Sequence, residues 1–350
     1  MTGSSTNKAH DKPSAAMPLS TFFLPRRNDC PWCASVALAD RLQTADLFQR
    51  KDGCFMLSCC KVCGHVFQNP QLSGQGLSHY YRDFYDGNGA DRMRKIFARN
   101  GKIYRHRARA VASIQAGPAL WLDVGAGYGH FCETAREVFS DTEFHGTDMS
   151  SGIDEAFEAG RVQRGFREPL SDLSQRATGS YDVVSMFHYL EHTTDPKDDL
   201  RQAANLLKRD GILVVEVPNI RCPLSRWLGR YWVAWLQPQH LHFIPADNMV
   251  KELSLMGFQI EHCDSCSPHD PVNLSAALLL WLNHRLPNDG APWRQTRPSL
   301  LFRPVRQITF LVAAPLLVLA RCLDIWVVEP LLKATGQNIA YRVIARKVSR

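Results

Sequence analysis

Short apolar runs alternate with amphipathic stretches through the middle of the chain. ALWLDV (119–124), TEFHGTD (142–148), SYDVVSMF (180–187) and GILVVEVP (211–218) predict buried strands, because each is brief, apolar and bounded by turn-forming residues. Helical spacing lies between them around 130–139 and 196–208. Such alternation predicts an α/β fold with a doubly wound, mostly parallel sheet. A helix over 246–256 leads to a further strand, FQIEHC (258–263), and NIAYRVIARK (338–347) alternates apolar and polar positions as a last, edge-type strand does. The core is therefore expected over 116–263 plus 338–350, with 264–337 as a helical insertion before the last strand.

The flanking segments read differently. Residues 1–28 are rich in Ser, Thr, Pro and Lys without periodicity and predict a mobile tail. Residues 29–68 are Cys-rich and loop-like, and 69–115 carry Tyr80, Tyr81, Phe84, Tyr85, Ile96, Phe97 and Tyr104 among many cations, as in linker helices packing one aromatic face. Two apolar runs stand out in the insertion, SAALLLWL (275–282) and TFLVAAPLLVLA (309–320). The fourteen uncharged residues between Arg306 and Arg321 would reach only ~21 Å as a helix against a ~30 Å hydrocarbon core, and Pro315 interrupts them. They predict a buried hairpin or an interfacial helix rather than a transmembrane span.

Composition narrows the class. With 350 residues, 45% hydrophobic and 21% charged, the chain is neither wholly disordered nor a fibrous repeat. Its net charge of +7 is local: from residue 291 onward ten Lys and Arg face two acids, Asp324 and Glu329, so residues 1–290 sum to −1. A basic, apolar segment suits a membrane surface or a lipid-linked substrate at least as well as nucleic acid. A helical pair that only covers the sheet edge or forms a dimer interface fits the same pattern. The start of the sequence lacks the basic and apolar regions of a secretory signal. The expected location is cytoplasmic, or peripheral at the inner face of the membrane, in a reducing compartment.

In a reducing compartment, clustered thiols suggest a metal. Six of eleven cysteines lie within residues 30–63, and Cys30-Pro-Trp-Cys33 is followed after twenty-six residues by Cys60-Lys-Val-Cys63-Gly64. Two such pairs predict a structural four-sulfur zinc site, with Cys59 or Cys54 as substitutes for a ligand. All four ligands then come from protein, so the metal stabilises rather than catalyses. Cys263 and Cys266 have no partner nearby in sequence; a second metal would require His240 and His242 to converge on them.

The candidate chemistry sits where the first core strand ends. Asp123-Val-Gly125-Ala126-Gly127-Tyr-Gly129 places glycines at a strand-to-helix turn, where a ligand can approach the backbone and a helix N-terminus. A dinucleotide fingerprint needs a third glycine where His130 stands. The D-x-G-x-G-x-G form resembles motif I of class I S-adenosylmethionine-dependent methyltransferases. The resemblance continues in Asp148, twenty-five residues after Asp123, in YDVVSMFHYLEHTTDP (181–196) and in LLKRDGILVVEVPN (206–219). It is nearest to the UbiG-like group of ubiquinone-biosynthesis O-methyltransferases, whose fourth-strand loop reads Leu-Glu-His.

The resemblance implies that Asp123 and Gly125, Ala126, Gly127 and Gly129 hold the methionine moiety, and Asp148 the ribose. It further implies that Met149 packs on the adenine and that Phe187 lines the same pocket. QRGFREP (163–169) lacks the Gly-Asp typical of the third-strand loop. His188 and His192 leave the fourth strand, and His240 and His242, in LQPQHLHF, resemble the family's Pro-x-His-Leu segment. His192, His240 and, behind them, His188 are the candidate catalytic residues, since histidine titrates near neutrality. The zinc segment resembles the N-terminal region of some methyltransferases of sugar and cell-surface polysaccharide pathways. No (N/D)-P-P-(Y/F) and no Pro-Cys follows the fourth strand. Their absence leaves an oxygen or carbon acceptor, in a glycan, lipid-linked or quinone-like molecule. Two alternatives remain: an RNA methyltransferase docking its substrate through the ribbon, and a zinc-stabilised module that binds without catalysis. The ribbon's four cations and four acids cancel over 29–68, so it is not an evident nucleic-acid arm.

Overall fold

A computed structural model describes residues 19–82, 84, 90–265, 270–286 and 302–348. Chain order begins with strands β1 (Leu38–Thr44), β2 (Phe55–Cys60) and β3 (Val66–Gln68), then helices α1 (Gly74–Tyr81), α2 (Ala90–Ala98) and α3 (Gly101–Ala112). The alternating core follows: β4 (Leu120–Val124), α4 (His130–Ala135), β5 (Glu143–Thr147), α5 (Gly152–Glu158), β6 (Arg164–Phe166), α6 (Leu170–Arg176), β7 (Tyr181–Phe187), α7 (Pro196–Leu206) and β8 (Leu207–Pro218). After it come α8 (Leu224–Trp227), β9 (His242–Phe243), α9 (Ala246–Leu255), β10 (Phe258–Asp264), α10 (Asn273–Arg285), α11 (Phe302–Leu323), α12 (Glu329–Thr335) and β11 (Ala340–Lys347).

Seven strands form one sheet in the order β10-β11-β8-β7-β4-β5-β6. The pairs from β8 through β6 are parallel, and β11 runs antiparallel between β8 and β10. Apolar side chains pack on both faces: Leu122, Val124, Val184 and Val215 in one cluster, Trp121, Val183, Ile212 and Val214 in the other. Burial on both faces is why these strands read as continuous apolar runs rather than alternating ones. The doubly wound expectation is met, and the late strand over 340–347 forms; it is not an edge strand, because β10 pairs along its outer side and buries it. β6 went unread because Arg-Gly-Phe carries no apolar run. The helix expected to 139 ends at Ala135.

Several expectations need correction. The tail ascribed to 1–28 is ordered from Leu19: Leu19–Phe22 make a 3₁₀ turn, Phe22 is buried and Phe23 bridges to Leu72. Residues 1–18 lie outside the described residues. Residues 29–68 are not loop-like throughout; β1, β2 and β3 form an antiparallel sheet, and its fourth strand, β9, comes from the core segment after β8. Pro315 does not interrupt α11, which runs twenty-two residues and continues as helix to Thr335. That stretch is long and apolar enough to cross a membrane by length and composition, and only 11% of its most apolar window is buried, so the buried-hairpin reading fails.

The C-terminal charge is also redistributed. Arg342 is fully buried and bonds Glu216 on β8 through Nε at 2.9 Å and Nη2 at 2.5 Å. Arg107 of α3 holds the other oxygen of Glu216 through Nε at 3.0 Å and Nη2 at 2.5 Å. Arg346 bonds Glu261 at 2.8 Å, and Lys347 donates to the carbonyls of Ala204 and Leu207. These cations hold the last strand in the sheet. Replacing Glu216 by Gln leaves two buried guanidinium groups without their counter-charge, and stability should fall by about 3–5 kcal/mol in chemical denaturation. A loss under about 1 kcal/mol would contradict this account of the cluster.

Candidate functional site

Asp123 ends β4 beside Ser185 of the parallel neighbour β7. The Ser185 hydroxyl donates to its carboxylate at 2.6 Å and itself accepts from the Trp121 indole at 2.9 Å. Burial pushes the Asp123 carboxyl up to about 7. The glycine loop then turns with φ near +75° at Gly125 and +51° at Gly127. A Cβ on Gly125 would sit 2.8 Å from the Tyr189 ring, so only glycine fits between loop and ring. At Gly127 the position of a Cβ is open space, while its N–H donates to Asp148 at 2.9 Å. Ser150 N–H holds the other Asp148 oxygen at 2.8 Å. An open cradle of backbone beside an oriented carboxylate fits a nucleoside with a vicinal diol. Met149 is 66% exposed next to Asp148. Phe187 differs from its expected role: its ring is buried against Phe131 and under the Arg107 guanidinium, facing the core.

The second half of the site is the loop leaving β7. His188 has φ near +54°, and its Nδ1 lies 2.9 Å from Glu191, with Nε2 3.5 Å from Glu216. Burial opposes its charge, but the two carboxylates prevail and raise His188 to about 9, so it is an imidazolium at neutral pH. Burial likewise disfavours the Glu191 charge, yet the His188 cation holds that carboxyl below its usual range.

His192 and His240 meet edge to face, with ring centroids 4.6 Å apart. Burial lowers both, His240 to about 3, and both are neutral at pH 7. His240 Nδ1 faces the Ala234 carbonyl at 2.8 Å, and His192 Nδ1 faces the Gln239 carbonyl at 3.1 Å. A carbonyl only accepts, so each Nδ1 carries the hydrogen and each Nε2 the lone pair. The Tyr81 hydroxyl lies 2.9 Å from His192 Nδ1 and donates to Gln239 O at 3.0 Å. The ligand atoms of Glu191, His192 and His240 fall within 4.8 Å of one another, and Glu191 Oε2 is buried without a hydrogen-bond partner. A divalent cation fits that spacing. His242 is not at this edge: it stacks on His65 within the ribbon, 3.3 Å between ring nitrogens.

Cys30, Cys33, Cys60 and Cys63 converge, their sulfurs within 4.8 Å of one another. Cys30 lies 3.7 Å from Cys63 and Cys33 lies 3.6 Å from Cys60, close to the ~3.8 Å edge of a tetrahedron with ~2.3 Å zinc–sulfur bonds. Burial pushes the Cys63 thiol up to about 11, whereas at Cys60 burial is outweighed by hydrogen bonds from the Cys63 and Val62 backbone, which bring the thiol down to about 7, so a cation's charge is needed at Cys63 above all. The residues fit zinc. Cys54 accepts from Gln43 instead, Cys59 stays outside the group, and Cys263 joins no ligand cluster among the described residues, while Cys266 lies outside them.

The seven-strand order, with one antiparallel strand second from the edge and a glycine loop after the first core strand, defines the class as the doubly wound S-adenosylmethionine-dependent methyltransferase fold. Residues 92–263 match the family model of a methyltransferase domain. It is similar to a ubiquinone biosynthesis O-methyltransferase of Xanthomonas oryzae pv. oryzae, 31% identical over 147 residues, covering 37% of this chain and 57% of the relative. The corresponding protein of Xanthomonas axonopodis pv. citri is 29% identical over 163 residues, covering 43% and 66%. The chain thus spans between half and two thirds of the length of these relatives. A SAM dependent methyltransferase from Archaeoglobus fulgidus aligns in structure at 16% identity with a TM-score of 0.44, over 71% of this chain and 94% of that one.

Sequence reasoning missed Tyr189, Tyr81, Ser185 and Glu216. Tyr189 and Glu216 stand inside quoted motifs but carry no period or spacing that reveals their partners. Tyr81 reaches His192 from 111 residues away, and nothing local announces it. The ribbon and the site are joined: Val66 and Phe67 of β3 pair with Phe243 and His242 of β9, immediately after His240. Freshly purified protein should hold about one equivalent of zinc, and Cys33→Ser or chelation should lower the melting temperature by at least about 5 °C. Less than about half an equivalent by metal analysis would count against the site.

Proposed function

We propose that this protein transfers the methyl group of S-adenosylmethionine to an oxygen, or an acidified carbon, of a glycan, lipid-linked or quinone-like small molecule. What supports this is the open backbone cradle at Gly127 and Asp148, together with the neutral His192 on the loop leaving the neighbouring strand β7 and His240 against it. S-adenosylmethionine supplies a methyl group on a cationic sulfonium when bound. Asp148 accepts from the ribose hydroxyls, Asp123 gives negative charge under the methionine end, and Tyr189 closes the loop from above. His192 Nε2 takes the acceptor's proton as its new bond to carbon forms, with Tyr81 and Gln239 fixing the ring. His240 is the weaker base, because deep burial disfavours its cation, and it positions His192. His188, already protonated, does not take the proton; it holds Glu191 and the loop. The relatives' name as O-methyltransferases favours oxygen as the acceptor atom. A second reading makes His192 a ligand, with Glu191 and His240 holding a divalent cation that binds acceptor oxygens; the buried, unpartnered Glu191 Oε2 favours it.

Isothermal titration should show binding of S-adenosylmethionine, weakened about 10–100-fold in Asp148→Ala by loss of hydrogen bonds to a charged acceptor. Affinity should rise with pH through about 7, since a cationic ligand prefers the ionised Asp123, and Asp123→Asn should flatten that rise. No binding to the wild type would sink the proposal. In methyl-transfer assays over a panel of phenolic and sugar hydroxyl acceptors, His192→Ala should lower turnover about 10²–10⁴-fold while leaving S-adenosylmethionine affinity unchanged. Loss of turnover on mild chelation, restored by a divalent cation other than zinc, would move His192 from base to ligand.

A further inference from the structure

The helical run from Arg303 to Thr335 is the most apolar exposed surface among the described residues, with mean hydropathy 2.1 over its most apolar window. One side of it is fastened to the protein along its length. Arg306 donates to Asn283, the fully buried Asp324 accepts from Leu274 N, Ser275 N and the Ser275 hydroxyl at 2.7–2.9 Å, and Leu332 packs in the cluster of Trp232, Trp235 and Phe243. The other side is a ridge of Ile308, Leu311, Val312, Leu316, Leu319 and Trp326, each 53–77% exposed. An amphipathic surface helix ordinarily turns its apolar stripe inward. Here the inward stripe carries the polar attachments and the outward stripe is apolar.

We infer that this ridge seats on the surface of an anionic lipid bilayer, lying in the interface rather than crossing it. Polar fastenings to α10 at two levels of the helix, Arg306 and Asp324, and the packing of Leu332 against Trp232 and Trp235 at a third, oppose burial of its whole circumference in hydrocarbon. The charges select the occupant. The two acids of the run, Asp324 and Glu329, are both buried, Glu329 pairing with Lys333 at 3.1 Å, while Arg303 and Lys333 are exposed near its ends. An apolar ridge with cations toward its ends matches acyl chains beneath anionic headgroups, whereas two copies placed ridge to ridge would oppose cation to cation. Trp326 and the half-exposed Trp281 of α10 supply rings suited to headgroup depth. The seat stands on the helix alone. Its bearing on chemistry rests on the methyl-transfer reading: α10 packs on the segment 229–235, with Tyr231 and His284 rings 6.3 Å apart, and that segment leads to His240, so a membrane-dissolved acceptor would arrive beside the site.

The test is sedimentation of the full chain with phosphatidylcholine vesicles containing or lacking phosphatidylglycerol, alongside the triple variant Leu311→Ser, Val312→Ser, Trp326→Ser. The wild type should co-sediment with the anionic vesicles, less with neutral ones, and be released by alkaline carbonate. The triple variant should partition at least about a hundredfold less, from the lost apolar burial. Because the three side chains are exposed, its S-adenosylmethionine affinity should equal that of the wild type, which separates failure of the seat from failure of the site. Equal sedimentation of both proteins, or none of either, would overturn the inference. So would retention after carbonate, which marks a spanning helix, and so would wild-type self-association without vesicle binding, which marks an interface between copies.

Discussion

Everything at the carboxyl edge of the sheet depends on one buried carboxylate. Glu216 lies in the middle of the core on β8 and receives Arg107 from α3, Arg342 from β11 and, at longer range, His188 from the exit of β7. Four separate parts of the chain therefore share one anion, with Glu216, Arg107 and Arg342 all buried. Such a cluster has to be complete, since any missing member leaves a buried charge uncompensated. Its electrostatic surplus is passed on to Glu191, which the His188 cation keeps ionised. The helix linking ribbon to core, the last strand and the site loop are thus placed relative to one another by a single ionic arrangement.

From that arrangement follows the division of labour among the histidines. His188 sits between two carboxylates and is charged; His192, half-buried, and His240, buried, lie against carbonyls and each other's rings and are neutral. Three residues of one type acquire two protonation states because their surroundings differ. The left-handed backbone at His188, costly for a residue with a Cβ, is sustained by the pairs it makes on both sides.

The four-cysteine ribbon is joined to the same edge. Its sheet is completed by β9, so the segment that carries His240 is tethered by a structure whose own core is four thiols. His242 illustrates the exchange: read as a neighbour of His240 on the acceptor side, it lies on β9, whose pairing with β3 brings its ring onto His65 of the ribbon. The ribbon is less an appended domain than one wall of the site loop.

How much of this was legible depended on the range of the interaction concerned. The strands β4, β5, β7 and β8 could be read because burial on both faces leaves a continuous apolar run, and the Asp123–Gly129 loop because positive φ needs glycine at local positions. The cysteine pairs were legible because metal geometry requires tight knuckles. β6 and β9 were not, since three and two residues carry no period. Pro315 was misjudged because one lost backbone hydrogen bond does not end a helix of twenty-two residues fastened along one side. Arg342 and Arg346 were counted as surface charge because an alternating strand pattern does not say which face meets a carboxylate. The amino-acid sequence by itself determined the order of elements, the glycine turn and the metal knuckles, all of which follow from steric rules acting within a few residues. Tertiary structure alone decided which histidines are charged, which cations are buried and which face of the apolar helix is bare, because charge state and exposure are set by neighbours that the chain brings together from far apart.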